Sequence, residues 1–226
     1  MILKSSIIKE TLIHKGAEAS LYYGQWFDKI VIFKCRVPKN YRQEQLDRKI
    51  RSERTLNEGK ALIKTKYYGL NVPQVYEIDI QNSTIVMKYI EGQKLKSILR
   101  DLSPEKKFNY FNRIGVYIAI LHKNGHIHGD ITTSNIIVTK EENIFLIDFG
   151  LHAYSDTIED KSVDLHLFKR VLISSHGRDY ELCFKSFLEG YVSEYQKENI
   201  NECQKIIKNI NAIETRGRYI KSEDRI

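Results

Sequence analysis

Over residues 1–33 apolar and polar positions alternate in short runs: Ile7-Ile8, then Leu21-Tyr22-Tyr23, then Ile30-Val31-Ile32-Phe33. A two-residue period predicts an antiparallel sheet, with Gly16 and Gly24 at its turns. The period changes at Arg42. From there to about Lys66 charge is dense, and Leu46, Ile50, Leu56, Leu62 and Ile63 recur at loosely helical spacing. That predicts one long helix, or a charged loop leading into one. Asn71 to Pro73 marks a turn, and strands follow near Val75–Ile80 and Thr84–Ile90. Ser103-Pro104-Glu105 is a helix start: a capping hydroxyl, proline at the first position and an acidic first turn. Phe108, Phe111, Ile114, Ile118 and Leu121 then mark one buried face, until Asn124-Gly125 ends the helix. Two short strands flank a polar loop at 128–135, and residues 163–214 read as helical throughout. The expectation is an α+β chain forming a single bilobal domain. Its N-lobe runs to about residue 88, a hinge lies at 88–92, the C-lobe spans about 93–214, and a basic tail covers 215–226.

Composition narrows this little. The chain has 226 residues, 42% of them hydrophobic and 29% charged, which suits a soluble globular protein. A net charge of +7 favours a polyanionic partner such as nucleic acid or a phosphate-rich substrate. Cys35, Cys183 and Cys203 have neither metal-ligand spacing nor a disulfide framework, which points to a reducing, cytoplasmic setting. The N-terminus lacks the apolar core of a signal peptide. The longest apolar stretch, around Ile114 to Leu121, falls short of the roughly 20 residues that span a bilayer, so no membrane role is expected.

The chemistry concentrates between His128 and Gly150. The segment reads HGDITTSN, an apolar run, a polar turn, then IFLIDFG. Asp130 and Asn135 form D-x-x-x-x-N in a loop; Asp148 precedes Phe149 and Gly150 directly after a strand. Phosphoryl transfer from Mg·ATP needs an acid that orients the attacking oxygen and oxygen ligands that hold magnesium on the phosphates. Asp130 is the candidate catalytic base, and Asn135 and Asp148 are the candidate ligands of Mg2+. Lys34 ends the apolar strand, as in the V-A-I-K element, where it reaches the α and β phosphates of ATP. Its partner is a glutamate on the following helix: Glu58, with Glu53 and Glu44 as alternatives. The turn Lys15-Gly16-Ala17-Glu18-Ala19 lacks G-x-G-x-x-G, yet its small residues let backbone amides approach phosphate. Met87 to Gly92 joins the lobes, with the carbonyl of Lys88 and the amide of Ile90 toward adenine. His128 reads as a histidine bracing the loop, although His122, His126 and Asp130 nearby also invite a metal reading.

With these residues in view the chain resembles the small atypical, RIO-like kinase subunit of the KEOPS (EKC) complex. KGAEAS, KCRVPKNYR, Leu46-Asp47, Arg54-Thr55 with Glu58, Ile90-Glu91-Gly92, HGDITTSN, Glu159 to Leu165 and Arg216-Gly217-Arg218 carry the likeness across nearly the whole chain. The resemblance implies a protein-kinase-like fold and an Mg-dependent ATPase and weak serine/threonine kinase supporting threonylcarbamoyladenosine formation in tRNA. It implies as partners a large carbamoyl-transferring subunit and a small regulatory subunit, the latter on the first lobe, with this kinase free-standing rather than fused to the large subunit. Gly129 replaces the arginine of H-R-D, Thr132 stands where serine/threonine kinases carry lysine, and no A-P-E element follows Gly150. These departures favour ATP hydrolysis over broad protein phosphorylation. Lys88 stands where the family pattern suggests an acid. Arg36, Lys39, Arg42, Arg216 and Arg218 are candidates for partner or tRNA-backbone contacts. A nucleotide-binding scaffold without turnover and an aminoglycoside-type small-molecule kinase are the competing readings.

Overall fold

The computed structural model describes residues 7–223, with side chains over residues 8–215. The chain divides into two compact units: Met1–Gly92 with Phe145–Gly150, and Gln93–Ile144 with Leu151–Ile226.

In the first unit β1 (Ile7–Lys15), β2 (Ala19–Trp26) and β3 (Lys29–Arg36) form an antiparallel meander, α1 spans Glu44–Tyr67, and β4 (Val75–Asp79) and β5 (Thr84–Lys88) complete the sheet. The strand order is β1-β2-β3-β5-β4. Alternation sorts β3 cleanly. Val31, Phe33 and Cys35 lie in one apolar cluster with Val86, Tyr22, Trp26 and Tyr76. Lys34 and Arg36, both buried, fall on the opposite face with Ile32. The long helix expected after Arg42 is present, but Leu46 and Ile63, two of the apolar positions that marked its spacing, are exposed. Ala61, Leu62, Thr55 and Glu58 are buried instead. Helix and sheet approach at Gly59, where a Cβ would lie 2.4 Å from Ile78 Cδ1.

Gly16 does sit at a turn, its N–H donating to Ala19 O at 2.9 Å. Gly24 does not. It lies within β2, opposite Val31. The register of β1 shifts beside it, so a Cβ there would meet the Ile8 carbonyl oxygen at 2.0 Å. The glycine serves a close backbone approach, not a reversal. Phe145–Gly150 joins this unit through a hydrogen bond from Leu146 N to Asn71 O at 3.0 Å.

The second unit begins with β6 (Gln93–Lys94), α2 (Leu95–Ile98) and α3 (Pro104–Lys123). Ser103 caps α3, its Oγ accepting from Lys106 N at 3.3 Å. After α3 come β7 (His126–Ile127), β8 (Ile136–Val138), β9 (Ile144–Leu146), of which Phe145 and Leu146 count with the first unit, and β10 (Ala153–Tyr154). β6 pairs with β8, and β10 with β7. Then follow α4 (Ile158–Ser175), α5 (Tyr180–Tyr195) and α6 (Ile200–Glu223). Phe111, Ile114, Ile118 and Leu121 of α3 are fully buried, whereas Phe108 is 38% exposed and lies off the buried face. The helical run breaks twice, at 176–179 and 196–199, and α6 continues through most of the stretch expected as a tail. Among the described residues no helix is long and apolar enough to cross a membrane.

Helices α3 and α5 meet at two glycines. A Cβ on Gly115 would lie 2.0 Å from Phe187 O, and one on Gly190 would lie 1.9 Å from Asn112 O. Both obstacles are backbone, which cannot rotate aside. Alanine gains about 1 kcal/mol of helix propensity, but overpacking two rigid helices costs about 1–3 kcal/mol or more. Gly190→Ala should therefore lower the urea midpoint; an unchanged or raised midpoint would show that the helices separate freely.

Candidate active site

Two constellations of polar side chains, one in each unit, contain most of the residues singled out by chemistry. In the first unit a four-member ion cluster forms at the end of β3. Lys34 Nζ donates to Glu58 Oε1 at 2.6 Å and to Asp148 Oδ1 at 2.7 Å. Arg36 Nη2 donates to the other oxygen of Glu58, Oε2, at 2.7 Å. Two cations thus face two carboxylates. Burial disfavours the charge on Lys34, but Glu58 and Asp148 outweigh it and raise its pKa above the ordinary lysine value. Glu58, rather than Glu44 or Glu53, meets the lysine because it is the glutamate on the sheet-facing side of α1.

Asp148 arrives at this cluster on a strained backbone. Its φ is 67°, in the left-handed region that aspartate tolerates better than most residues but still at a cost of order 1 kcal/mol. Gly150 N donates back to Asp148 Oδ1 at 3.0 Å, closing the turn, and Phe149 is buried beside it. The carboxylate keeps about 45% side-chain exposure.

In the second unit the loop after β7 carries Asp130 and Asn135. Asn135 Nδ2 donates to Asp130 O at 3.0 Å and to Asp130 Oδ2 at 2.9 Å. The loop is fastened from α4 by Asp164, which is almost fully buried. Its Oδ2 accepts from His128 N at 3.0 Å, and its Oδ1 from Gly129 N at 2.9 Å. His122 Nε2 lies 3.1 Å from the same Oδ2, and His122 Nδ1 lies 2.9 Å from Tyr191 Oη. Burial raises the pKa of Asp164, yet the hydrogen bond from His122 and the nearby histidine charges outweigh it, leaving the carboxyl below its ordinary range.

Gly129 has a structural reason. Its φ is 78°, and a Cβ would meet Leu151 O at 2.4 Å. An arginine in the H-R-D manner has no room in this conformation. His128 braces the loop as expected of a structural histidine, its Nδ1 accepting from Asp130 N at 3.3 Å. Among the described residues no group of three or more His, Cys, Asp or Glu is arranged to hold a metal by itself.

Other sequence candidates sit more loosely. In the Lys15–Ala19 turn, Glu18 pairs with Arg54 at 2.6 Å and Arg42 at 4.0 Å, and Lys39 Nζ donates to Ala17 O. Met87 and Ile90 are buried and Lys88 is exposed, with Lys88 N donating to Gln74 O at 2.8 Å. Arg36, a candidate for partner or tRNA-backbone contact, is 5% exposed and bound to Glu58, so it offers no external charge. Lys39 and Arg42 likewise have acceptors within the chain, Arg42 also reaching Asp47 at 3.5 Å. The side chains of Arg216 and Arg218 lie outside the described residues. Spacing left Asp164 unassigned and gave Arg36 a different role. Arg36 carried a signal, its two-residue offset from Lys34, whereas Asp164 gives no local sign of the loop it fastens.

A RIO domain matches residues 31–161 of this chain, a span that holds Lys34, Glu58, Asp130, Asn135 and Asp148. The chain belongs to the RIO-domain family. This RIO-domain chain is similar to the KEOPS complex subunit Bud32 of Pyrococcus abyssi, 43% identical over 214 residues, covering 92% of this chain and 96% of that protein. It is 38% identical to the probable bifunctional tRNA threonylcarbamoyladenosine biosynthesis protein of Methanocaldococcus jannaschii, over 96% of this chain but 38% of that protein. The protein of the same description from Methanobrevibacter smithii is 41% identical over 94% of this chain, and 37% of its own length is matched. The RIO-domain chain thus spans nearly all of one relative and under two fifths of the bifunctional ones. Its kinase-like α+β architecture agrees with that family.

Asp164 yields a pH prediction. Its folded pKa is depressed, so its stabilisation is complete above the unfolded carboxylate value, about 3.9, and is lost as pH falls through the folded pKa. Urea unfolding of wild type should therefore weaken faster between about pH 5 and pH 2 than that of Asp164→Asn, narrowing the gap between them. A gap independent of pH would mean that Asp164 is not an ionised anchor.

Proposed function

We propose that this chain is an Mg-dependent ATPase and atypical serine/threonine protein kinase, acting as a subunit of a KEOPS-type assembly that supports threonylcarbamoyladenosine formation in tRNA. The observation that carries the reading is Lys34 held by Glu58 with Asp148 beside it, for protein kinases need that lysine–glutamate pair together with an aspartate for magnesium. In this reading Lys34 binds the α and β phosphates, and the Lys15–Ala19 turn covers them with backbone amides. The strand exit at Met87 to Ile90 meets adenine through its backbone.

The donor chemistry suits magnesium. Asp148 offers a half-exposed carboxylate, and Asn135 directs its amide N–H to Asp130, which leaves Oδ1 as the atom for a hard cation. Bound Mg2+ would neutralise charge on the transferring phosphate. Asp130, its Oδ2 fixed by Asn135, orients the attacking oxygen and takes its proton. Without a lysine at Thr132, and with Gly129 in place of arginine, water is the favoured acceptor over a protein hydroxyl.

The names of the relatives support the setting. The Pyrococcus relative is a KEOPS subunit, and the bifunctional relatives join a matching region to further chain. The proposed partners are the large carbamoyl-transferring subunit, on the second unit's active face, and a small regulatory subunit on the first unit. Contact with tRNA would be to its backbone, and the setting cytoplasmic.

Phosphate release from Mg·ATP tests this, measured with and without the large subunit and tRNA. Asp130→Asn should lower kcat by about 10²-fold or more while ATP binding and folding persist. Turnover unchanged in that variant would refute the assignment. Wild-type binding without turnover, even with both partners present, would instead establish a nucleotide-binding scaffold.

A further inference from the structure

Lys34 and Arg36 stand two residues apart on one strand, so both side chains leave the same face of β3. Each takes one oxygen of a single carboxylate: Lys34 Nζ reaches Glu58 Oε1 at 2.6 Å and Arg36 Nη2 reaches Oε2 at 2.7 Å. Glu58 is 1% exposed and the arginine side chain 4%. Arg36 is itself anchored, its N–H donating to Ser83 O at 3.0 Å. Its guanidinium also borders the Asp148-Phe149-Gly150 turn, for a Cβ on Gly150 would lie 3.4 Å from Nη2.

A carboxylate held by one lysine can leave by rotating, because an ammonium is a flexible point donor. A carboxylate held through both oxygens by two cations on one rigid strand has no such exit. Withdrawing α1 would remove the carboxylate that Lys34 and Arg36 share and leave Asp148 alone to offset two buried cations, which is strongly unfavourable. In protein kinases the position of the corresponding helix is what makes or breaks the lysine–glutamate pair, and activation-loop phosphorylation controls it. Here only a short segment separates Gly150 from α4, which starts at Ile158.

We propose that Arg36 is a positioning residue: it clamps Glu58 from the second oxygen and so keeps the Lys34–Glu58 pair closed without any activating signal. The inference deepens the ATPase reading and rests on it for its catalytic consequence, but its geometric content stands separately. The K-x-R spacing on β3 replaces a switch by a fixture. Control of turnover then belongs to partners, not to movement of α1.

A double-mutant cycle tests the clamp on the full-length chain with its partners present. Arg36→Met should reduce kcat roughly tenfold with a smaller change in the KM for ATP. In a Glu58→Gln background the same substitution should change kcat by less than about twofold, because the arginine acts through the glutamate. Arg36→Lys, which keeps the charge and loses the planar fork, should fall between wild type and Arg36→Met, and it serves if the methionine variant fails to fold. Equal losses in both backgrounds would overturn the proposal, as would full activity in Arg36→Met. Hydrogen exchange over residues 55–62 reads the clamp independently of ATP. Faster exchange in Arg36→Met, with no further change in the double variant, supports the clamp even if wild type hydrolyses nothing. Unchanged exchange refutes it even if the enzyme is active.

Discussion

The charge balance around Glu58 is the constraint on which the first unit depends. A glutamate at 1% exposure, a lysine and an arginine tolerate burial only together, with Asp148 as the fourth member. That requirement ties β3, α1 and the turn at Asp148 into one arrangement. It also explains the strained backbone at Asp148: the left-handed φ delivers the carboxylate to Lys34. Gly59 contributes from the helix side, since its missing Cβ lets α1 come down on Ile78.

The second unit solves a parallel problem with one carboxylate. The loop after β7 has little regular structure of its own, and its amides at His128 and Gly129 need acceptors. Asp164 supplies both of its oxygens to them and is kept ionised by His122, which is in turn aligned by Tyr191. Burial pushes the Tyr191 pKa well above the ordinary value, so the phenol stays neutral beside His122 Nδ1. A buried relay thus runs from α5 through α3 and α4 to the loop, where the Asp130 carboxylate accepts from Asn135 Nδ2. Gly129 is part of the same solution. Its positive φ bends the backbone so that two successive amides point at one carboxylate.

Much of this was legible in the residue pattern, for physical reasons that differ from site to site. The alternation in β3 and the helical spacing after Arg42 are local signals, and they locate Lys34 and the helix that answers it. Glu58 stood out by its apolar neighbours, which place it on the buried face. The same reasoning misassigned Arg36, because an arginine among other cations reads as surface unless its two-residue offset from a buried lysine is weighed. Gly24 read as a turn because nothing in the sequence reveals the shifted register of β1 beside it. Phe108 fitted the helical period but falls at the edge of the buried stripe. The breaks at 176–179 and 196–199 contain no proline and are marked only by Gly177 and by Asn199, whose Oδ1 accepts from Glu202 N at 3.2 Å. The charged residues beyond 214 are good helix formers, so the reach of α6 had no clear local mark. Asp164 depended on tertiary contact across 36 residues to His128, beyond any spacing rule.

The central claim is that Asp148, presented by this charge cluster, accepts a magnesium nucleotide. Calorimetric titration of ATP with and without Mg2+, on wild type and Asp148→Asn, addresses it most directly. Magnesium should tighten ATP binding to wild type by roughly tenfold or more, and that gain should vanish in Asp148→Asn while ATP alone binds both alike. A wild type indifferent to magnesium, or an equal magnesium gain in both proteins, would contradict the account.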